Sequence, residues 1–193
     1  MIETLNQLDT KVTIALNSLH CSACDGFFYL YTQSWVWIPL YLVLVFLIWK
    51  QYRVKGIYFI LLIILSVGLS DFIASGIFKP WVQRLRPSHE PALSNIIHIV
   101  NNYRGGQFGF FSSHAANSFS LATFVSLILY KQYRLLPYLL FIWAVLNAYS
   151  RLYLGVHYLG DLLVGAATGT IISLLLFCFS RISFPIKKKS TVL

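Results

Sequence analysis

Residues 56–78 read GIYFILLIILSVGLSDFIASGIF, an uninterrupted apolar run in which Asp71 is the only charge. The hydrocarbon core of a bilayer takes roughly 20 apolar residues per helix, so this segment is long enough to cross it. A second run of the same kind extends from Phe27 to Trp49. Three shorter runs, Ser113 to Tyr130, Leu135 to Leu152 and Leu162 to Phe179, carry more small and polar residues, which suits helices that pack against partners and line a site. Composition agrees, with 58% hydrophobic and 11% charged residues and a mean hydropathy of +0.69, far from soluble globular averages. The expected fold is an all-α integral membrane protein, a bundle of about five transmembrane helices. No internal repeat, low-complexity tract or linker interrupts the chain, so residues 1–193 read as a single domain.

From Ile2 to Leu19 the pattern changes. Leu5, Leu8, Val12, Leu16 and Leu19 recur at spacings of three and four, with Glu3, Asn6, Gln7 and Lys11 between them. This predicts an amphipathic helix lying along the membrane interface. The segment lacks the charged start, apolar centre and small-residue cleavage site of a signal peptide and is expected in the mature protein.

Basic residues set the orientation, because Lys and Arg in short loops accumulate on the cytoplasmic side. Lys50, Arg53 and Lys55 join the first two spans, Lys131 and Arg134 join the third and fourth, and Arg181 with Lys187, Lys188 and Lys189 follows the last. Alternation puts all three clusters on one face, read as cytoplasmic. The loop from Lys79 to Ser112 and the turn near Arg151 to Asp161 then face outward. The net charge of +9 is accounted for by topology signals and by the motifs below; no basic stripe with interleaved aromatics points to nucleic acid. Expected partners are the surrounding membrane lipids, and the oligomeric state is not legible.

Three groups of residues sit at the outward ends of these apolar segments. Ser112-Ser113-His114 precedes a helical run, so its serines are placed to cap a helix whose free N–H groups bind phosphate well. Lys79 and Arg86 are two helical turns apart, although Pro80 and Pro87 argue against a continuous helix; taken alone, the pair also reads as snorkelling cations closing a span. Arg84 and Arg104 fit that snorkelling role better and stay outside the candidate site. His157 and Asp161, four apart, share one helical face, where a carboxylate can hold an imidazole N–H and aim the other nitrogen. Together with Arg151 these groups offer three cations, two imidazoles and one carboxylate to a single anion.

The remaining polar residues read more plainly. His20, His89 and His98 are interfacial or loop histidines, and Asp71 has a structural role ahead of a supporting contact to the site. Cys21 and Cys24 read as two ordinary interfacial cysteines rather than a redox pair. Gly105-Gly106 reads as a turn.

The chain resembles the type-2 phosphatidic acid phosphatase superfamily. That family's signatures are Lys-x6-Arg-Pro, Pro-Ser-Gly-His and Ser-Arg-x5-His-x3-Asp; here they read KPWVQRLRP (79–87), FSSH (111–114) and SRLYLGVHYLGD (150–161). The first and third match at every fixed position, while the second carries Phe111 for proline and Ser113 for glycine. The resemblance implies metal-independent, cofactor-free hydrolysis of a lipid phosphomonoester or diphosphate through a phosphohistidine. It assigns His157 as nucleophile, Asp161 as its orienting partner and His114 as acid and then base. Lys79, Arg86, Arg151, Ser112 and the backbone N–H of Ser113 would hold the phosphoryl oxygens. Bacterial members point to the outer side of the cytoplasmic (inner) membrane, with undecaprenyl diphosphate as the leading substrate and phosphatidylglycerophosphate or lipid A as the alternative. A non-catalytic lipid-phosphate carrier would not need two histidines and an aspartate, and a vanadate-dependent haloperoxidase would not need the dense spans.

Overall fold

Helix α1 (Ile2–Asn17) and helix α2 (Ser22–Tyr31) lead into α3 (Ile38–Tyr52) through a short 3-10 turn at Ser34–Trp37. Helix α4 (Val54–Asp71) continues through a π-helical stretch, Phe72–Phe78, into α5 (Lys79–Val82), followed by a long loop, α6 (Ser113–Leu129), α7 (Leu136–Tyr153) and α8 (Leu159–Ser183). This computed structural model describes residues 2–183. Three helical segments within them, Ser34–Tyr52, Val54–Val82 and Leu159–Arg181, are long and apolar enough to cross a membrane, and Ser113–Leu129 is a shorter apolar helix.

Local chemistry accounts for the boundaries. Pro39 and Pro137 sit in the first turns of α3 and α7, where a missing N–H costs nothing. The first span begins at Ser34 rather than at Phe27, because Phe27 to Tyr31 belong to α2 and the chain breaks at Thr32-Gln33. Apolar composition runs through that break without marking it. Gly155, at φ +68°, turns the chain out of α7.

Helix α6 is the centre of the bundle, with α4, α7 and α8 packed around it. Large side chains such as Leu42, Phe46, Leu61, Ile64, Leu175 and Phe179 on α3, α4 and α8 are exposed, as lipid-facing residues are. The α6–α8 contact is close because of small residues. A Cβ at Gly165 would meet the Ser112 carbonyl and one at Gly169 the Ala116 carbonyl, so this glycine pair, four residues apart, lets the two backbones touch. Beside it the hydroxyls of Ser66, Ser120 and Ser173 form a buried triangle with sides of 2.7, 2.8 and 3.0 Å, joining α4, α6 and α8. Gly169→Ala is therefore expected to destabilise by about 1 to 3 kcal/mol through overpacking. Thermal unfolding in detergent checks this against Gly26→Ala, where the added Cβ meets nothing within 4 Å.

Helix α1 packs differently from the expected face. Its buried line is polar: Asp9, Thr13 and Asn17, at spacings of four, face the junction of α7 and α8. Asp9 Oδ1 accepts from Gly160 N (2.8 Å), Thr13 Oγ1 from Leu159 N (3.0 Å), and Asn17 Nδ2 donates to the carbonyls of Leu152 and Tyr153 (3.1 and 2.9 Å). Leu5, Leu8 and Leu19 are exposed. Side chains on α1 thus satisfy backbone groups freed where α7 ends and α8 begins. Cys21 and Cys24 are disulfide-bonded across the first turn of α2, which replaces the reading of two separate thiols. Lys187 to Lys189 lie outside the described residues.

Candidate active site

The three motifs meet where α5, the start of α6 and the α7–α8 turn come together. The π-helical stretch before Lys79 swings that lysine toward α6, and its Nζ donates to Ser75 Oγ (3.1 Å) and Ser113 Oγ (3.2 Å). Arg86 comes from the long loop, which folds back on itself: Leu85 and Phe108 form an antiparallel bridge, and Arg86 Nε donates to the Phe108 carbonyl (3.1 Å). Gly105, at φ +65°, lies against the Arg86 guanidinium, where a Cβ would collide with it. The glycine turn therefore carries backbone past a site residue.

Arg151 is buried near the end of α7. It donates to Thr32 Oγ1 (2.7 Å) and Tyr103 Oη (3.0 Å), while its Nε is buried without a partner among the described residues. His157 is 1% exposed in the turn before α8. Its Nδ1 donates to Asp161 Oδ2 at 3.2 Å, and the same oxygen accepts from Tyr158 N at 3.1 Å. Arg86, Arg151 and Lys79 all act electrostatically on the His157 ring; Arg151, His157 and Lys79 act on His114, whose ring hydrogen-bonds the Thr32 backbone. A Cβ at Gly109 would press on Arg86, Asp161 and His157 together, and the Gly109 backbone hydrogen-bonds the His157 ring.

One placement departs from the expected arrangement. Ser112 is fully buried, its Oγ accepts from Ala115 N (3.4 Å) as the α6 cap, and its own N–H donates to the Asp161 carbonyl (3.0 Å). It is Ser113 that meets Lys79. Ser113 and His114, as the first helical residues, present their N–H groups at the helix start.

Charge accounting separates the site cations from Arg84. Among the described residues, Lys79, Arg86 and Arg151 have no carboxylate within 4.0 Å, whereas Arg84 has two: its Nη1 lies 3.1 Å from Asp161 Oδ1 and its Nη2 lies 2.8 Å from Asp9 Oδ2. Arg84, read from sequence as a snorkelling cation, is thus the guanidinium that holds the outer oxygen of Asp161. No sequence signal pairs it with residues more than seventy positions away. Its stacking over the Tyr158 ring (3.9 Å) fixes it further. Arg104 closes the loop instead, donating to the Ser88 carbonyl (2.7 Å). His98 bonds Asp25 (2.9 Å) and stacks on His20 (3.8 Å between centroids), while His89 contacts Ser88. No group of three or more His, Cys, Asp or Glu among the described residues is placed to hold a metal ion.

A cavity of 690 Å³ opens from His114 and Ser113 and runs between α3, α4, α6 and α7. Its far walls are Leu44, Ile48, Ile60, Ile63, Leu121 and Val125. Asp71, an exposed residue, borders it too, accepting from Asn117 Nδ2 at 3.1 Å.

Burial pushes the His157 imidazole well below the ordinary histidine value of 6.5, and the charges of Arg86, Arg151 and Lys79 push it the same way. A lowered value keeps the ring neutral at neutral pH and confines protonation to more acid solution. In 15N-histidine NMR of the detergent-solubilised protein, the resonances absent from His157→Gln are expected to show no titration between pH 8 and 6. A midpoint at or above 6.5 would contradict the burial.

The profile described as PAP2 superfamily matches residues 56–184. A protein named lipid A 4'-phosphatase from Bacteroides thetaiotaomicron is 38% identical over 171 residues, covering 88% of this chain and 75% of that protein. One of the same name from Porphyromonas gingivalis is 36% identical, covering 89% and 72%. Among solved structures, the transmembrane PAP2-type phosphatidylglycerolphosphate phosphatase of Bacillus subtilis superposes with a TM-score of 0.73 at 22% identity, covering 95% of this chain and 90% of its own. LpxE of Aquifex aeolicus superposes with a TM-score of 0.70 at 24% identity, covering 89% and 95%.

Proposed function

This chain belongs to the PAP2 superfamily, and we propose from that membership that it hydrolyses a lipid A-type phosphomonoester at the outer face of the cytoplasmic membrane. At the coarser level it is a multi-pass membrane phosphatase acting on lipid phosphates. The observation that carries the reading is the trio of Lys79, Arg86 and Arg151, cations without carboxylate partners among the described residues whose charges act on the His157–Asp161 pair, with Ser113 and His114 opening beside them onto an apolar cavity. Gathering such charges is costly unless an anion balances them, and an apolar cavity beneath suits an acyl chain.

In this reading the cations, the Ser113 hydroxyl and the first N–H groups of α6 hold the phosphoryl oxygens. Fixed donors stabilise the charge that spreads over these oxygens in phosphoryl transfer. Neutral His157 attacks phosphorus through Nε2, while Nδ1–H stays on Asp161, which balances the imidazolium charge of the adduct. Carrying a proton once the bound phosphate offsets the charges of Arg151 and Lys79, His114 gives it to the leaving lipid oxygen, then takes one from the water that cleaves the phosphohistidine. Three protein cations supply the positive charge, so no metal is invoked.

The carrier-lipid diphosphate expected at first gives way to the lipid A or phosphatidylglycerophosphate alternative, because two relatives that match over most of their length bear the name lipid A 4'-phosphatase. The outward orientation is supported by Lys50, Arg53, Lys131 and Arg134 at the opposite helix ends and by the Cys21–Cys24 disulfide, a bond of oxidising compartments. Purified protein in detergent with chelator is expected to release phosphate from lipid A and to leave the 1-phosphate and 4'-phosphate distinguishable by mass spectrometry. No release from lipid A, with release from phosphatidylglycerophosphate, would move the assignment to the second substrate. Release that chelator abolishes would refute the metal-free mechanism.

A further inference from the structure

We infer that Asp71, Asn117 and Asn147 form a polar collar that selects the group bonded to the scissile phosphate, admitting an uncharged sugar unit rich in hydroxyl and amide groups and rejecting a second phosphate. The inference rests on the phosphatase reading above and adds the residues that discriminate among its substrates.

Position is the first argument. Asn117 lies four residues after Ser113 on α6, and Asn147 four residues before Arg151 on α7, so each sits one helical turn, about 6 Å, below a residue of the phosphate cradle. Asp71, at the end of α4, reaches the same level through its bond from Asn117 Nδ2 (3.1 Å). All three line the cavity that begins at Ser113 and His114. Deeper in, past Val67, Leu121 and Trp143, the walls turn apolar. A ligand whose phosphate occupies the cradle must therefore place its next chemical unit in the collar and its chains below it.

Chemistry is the second. Asn147 lines the cavity with no side-chain hydrogen bond among the described residues, and Asn117 Oδ1 is buried there without a partner. A buried amide without a protein partner asks for one from elsewhere. Asp71 has no cation within 4.0 Å among the described residues, and one of its oxygens is held by Asn117. Its other oxygen accepts only. Hydroxyl and amide N–H groups of an acylated amino sugar satisfy the carboxylate, and an acyl carbonyl satisfies the Asn147 Nδ2 donor. The second phosphate of a diphosphate would instead meet the Asp71 carboxylate at the cavity wall, a like-charge contact that works against binding.

The test compares kcat/KM of the wild type, Asp71→Asn and Asn147→Leu on four substrates: lipid A, a polyprenyl diphosphate, phosphatidic acid and p-nitrophenyl phosphate. Asp71→Asn is expected to raise the diphosphate value relative to lipid A about tenfold, since loss of one like charge removes the penalty. Asn147→Leu is expected to lower the lipid A value about tenfold while sparing the diphosphate, in line with one lost buried hydrogen bond. Both variants should change p-nitrophenyl phosphate turnover less than about twofold, since its aryl group enters the collar with neither a second phosphate to meet Asp71 nor a carbonyl to meet Asn147. An unchanged lipid A to diphosphate ratio in both variants, with phosphatidic acid still cleaved, would overturn the collar alone. Absence of turnover on every substrate would overturn the phosphatase reading and the collar with it.

Discussion

His157→Ala is expected to lose at least about four orders of magnitude in phosphate release and to form no acid-labile phosphoenzyme. The reason is positional. His157 is the imidazole paired with a carboxylate, its Nδ1 on Asp161; its ring also bonds the Gly109 backbone, and burial with three neighbouring cations disfavours its protonation. His114, whose ring bonds the Thr32 backbone and has no carboxylate partner among the described residues, lacks the counter-charge an adduct on it would need. The two histidines are separable by choice of leaving group. With p-nitrophenyl phosphate, whose leaving group needs no proton, His114→Ala should still form the adduct but hydrolyse it slowly, giving a burst of nitrophenolate followed by a low steady rate. Stopped-flow absorbance distinguishes the outcomes. A burst in His157→Ala, or near-normal turnover, would show that the covalent route does not run through this residue.

Much of the architecture was legible because membrane insertion depends on long, local runs of apolar residues. The segment 56–78 needs no partner to declare itself, and the start of α6 at Ser112-Ser113 is a cap readable from neighbouring residues. The pairing of His157 with Asp161 was legible from their spacing, but not its form: His157 lies in the turn before α8 rather than on a shared helical face, and the Asp161 carboxylate reaches back to His157 Nδ1 and Tyr158 N. What escaped was long-range and polar. Arg84 and Asp9 meet across 75 positions, and Asp9, Thr13 and Asn17 bury a polar stripe where apolar spacing alone pointed the other way. Apolar periodicity finds surfaces that avoid water but is blind to side chains that satisfy another helix's free backbone groups. The role of Gly105 against Arg86 was likewise invisible, since a glycine pair in a loop announces a turn without naming what passes beside it. The two serines of the second motif could not be told apart either: which one caps and which one faces Lys79 depends on the Asp161 carbonyl that takes the Ser112 N–H.

Asp161→Asn is expected to reduce kcat by roughly two to four orders of magnitude, since it removes both the orientation of His157 and the counter-charge for its adduct. Arg84 adds a graded version of the same experiment. Asp161 is fully buried, with Oδ2 taken by His157 Nδ1 and Tyr158 N and Oδ1 by Arg84. Removing Arg84 frees the carboxylate to rotate and leaves a buried charge short of its partner. Arg84→Ala should therefore cost about 10- to 100-fold in kcat, the range seen when a group orienting a catalytic residue is lost. KM for p-nitrophenyl phosphate should change little, because Lys79, Arg86 and Arg151 still hold the phosphate. Arg84→Lys should recover only part of the loss: one ammonium cannot bridge Asp9 and Asp161 as the planar fork does. Asp9→Asn, which leaves the Asp161 contact in place, should cost less than Arg84→Ala. The ordering Asp161→Asn, Arg84→Ala, Arg84→Lys, Asp9→Asn, from most to least severe, is the expected signature of a chain of contacts that ends on the nucleophile. A rise in KM with unchanged kcat in Arg84→Ala would instead make this guanidinium a phosphate ligand, and the chain from α1 to His157 would carry no catalytic weight.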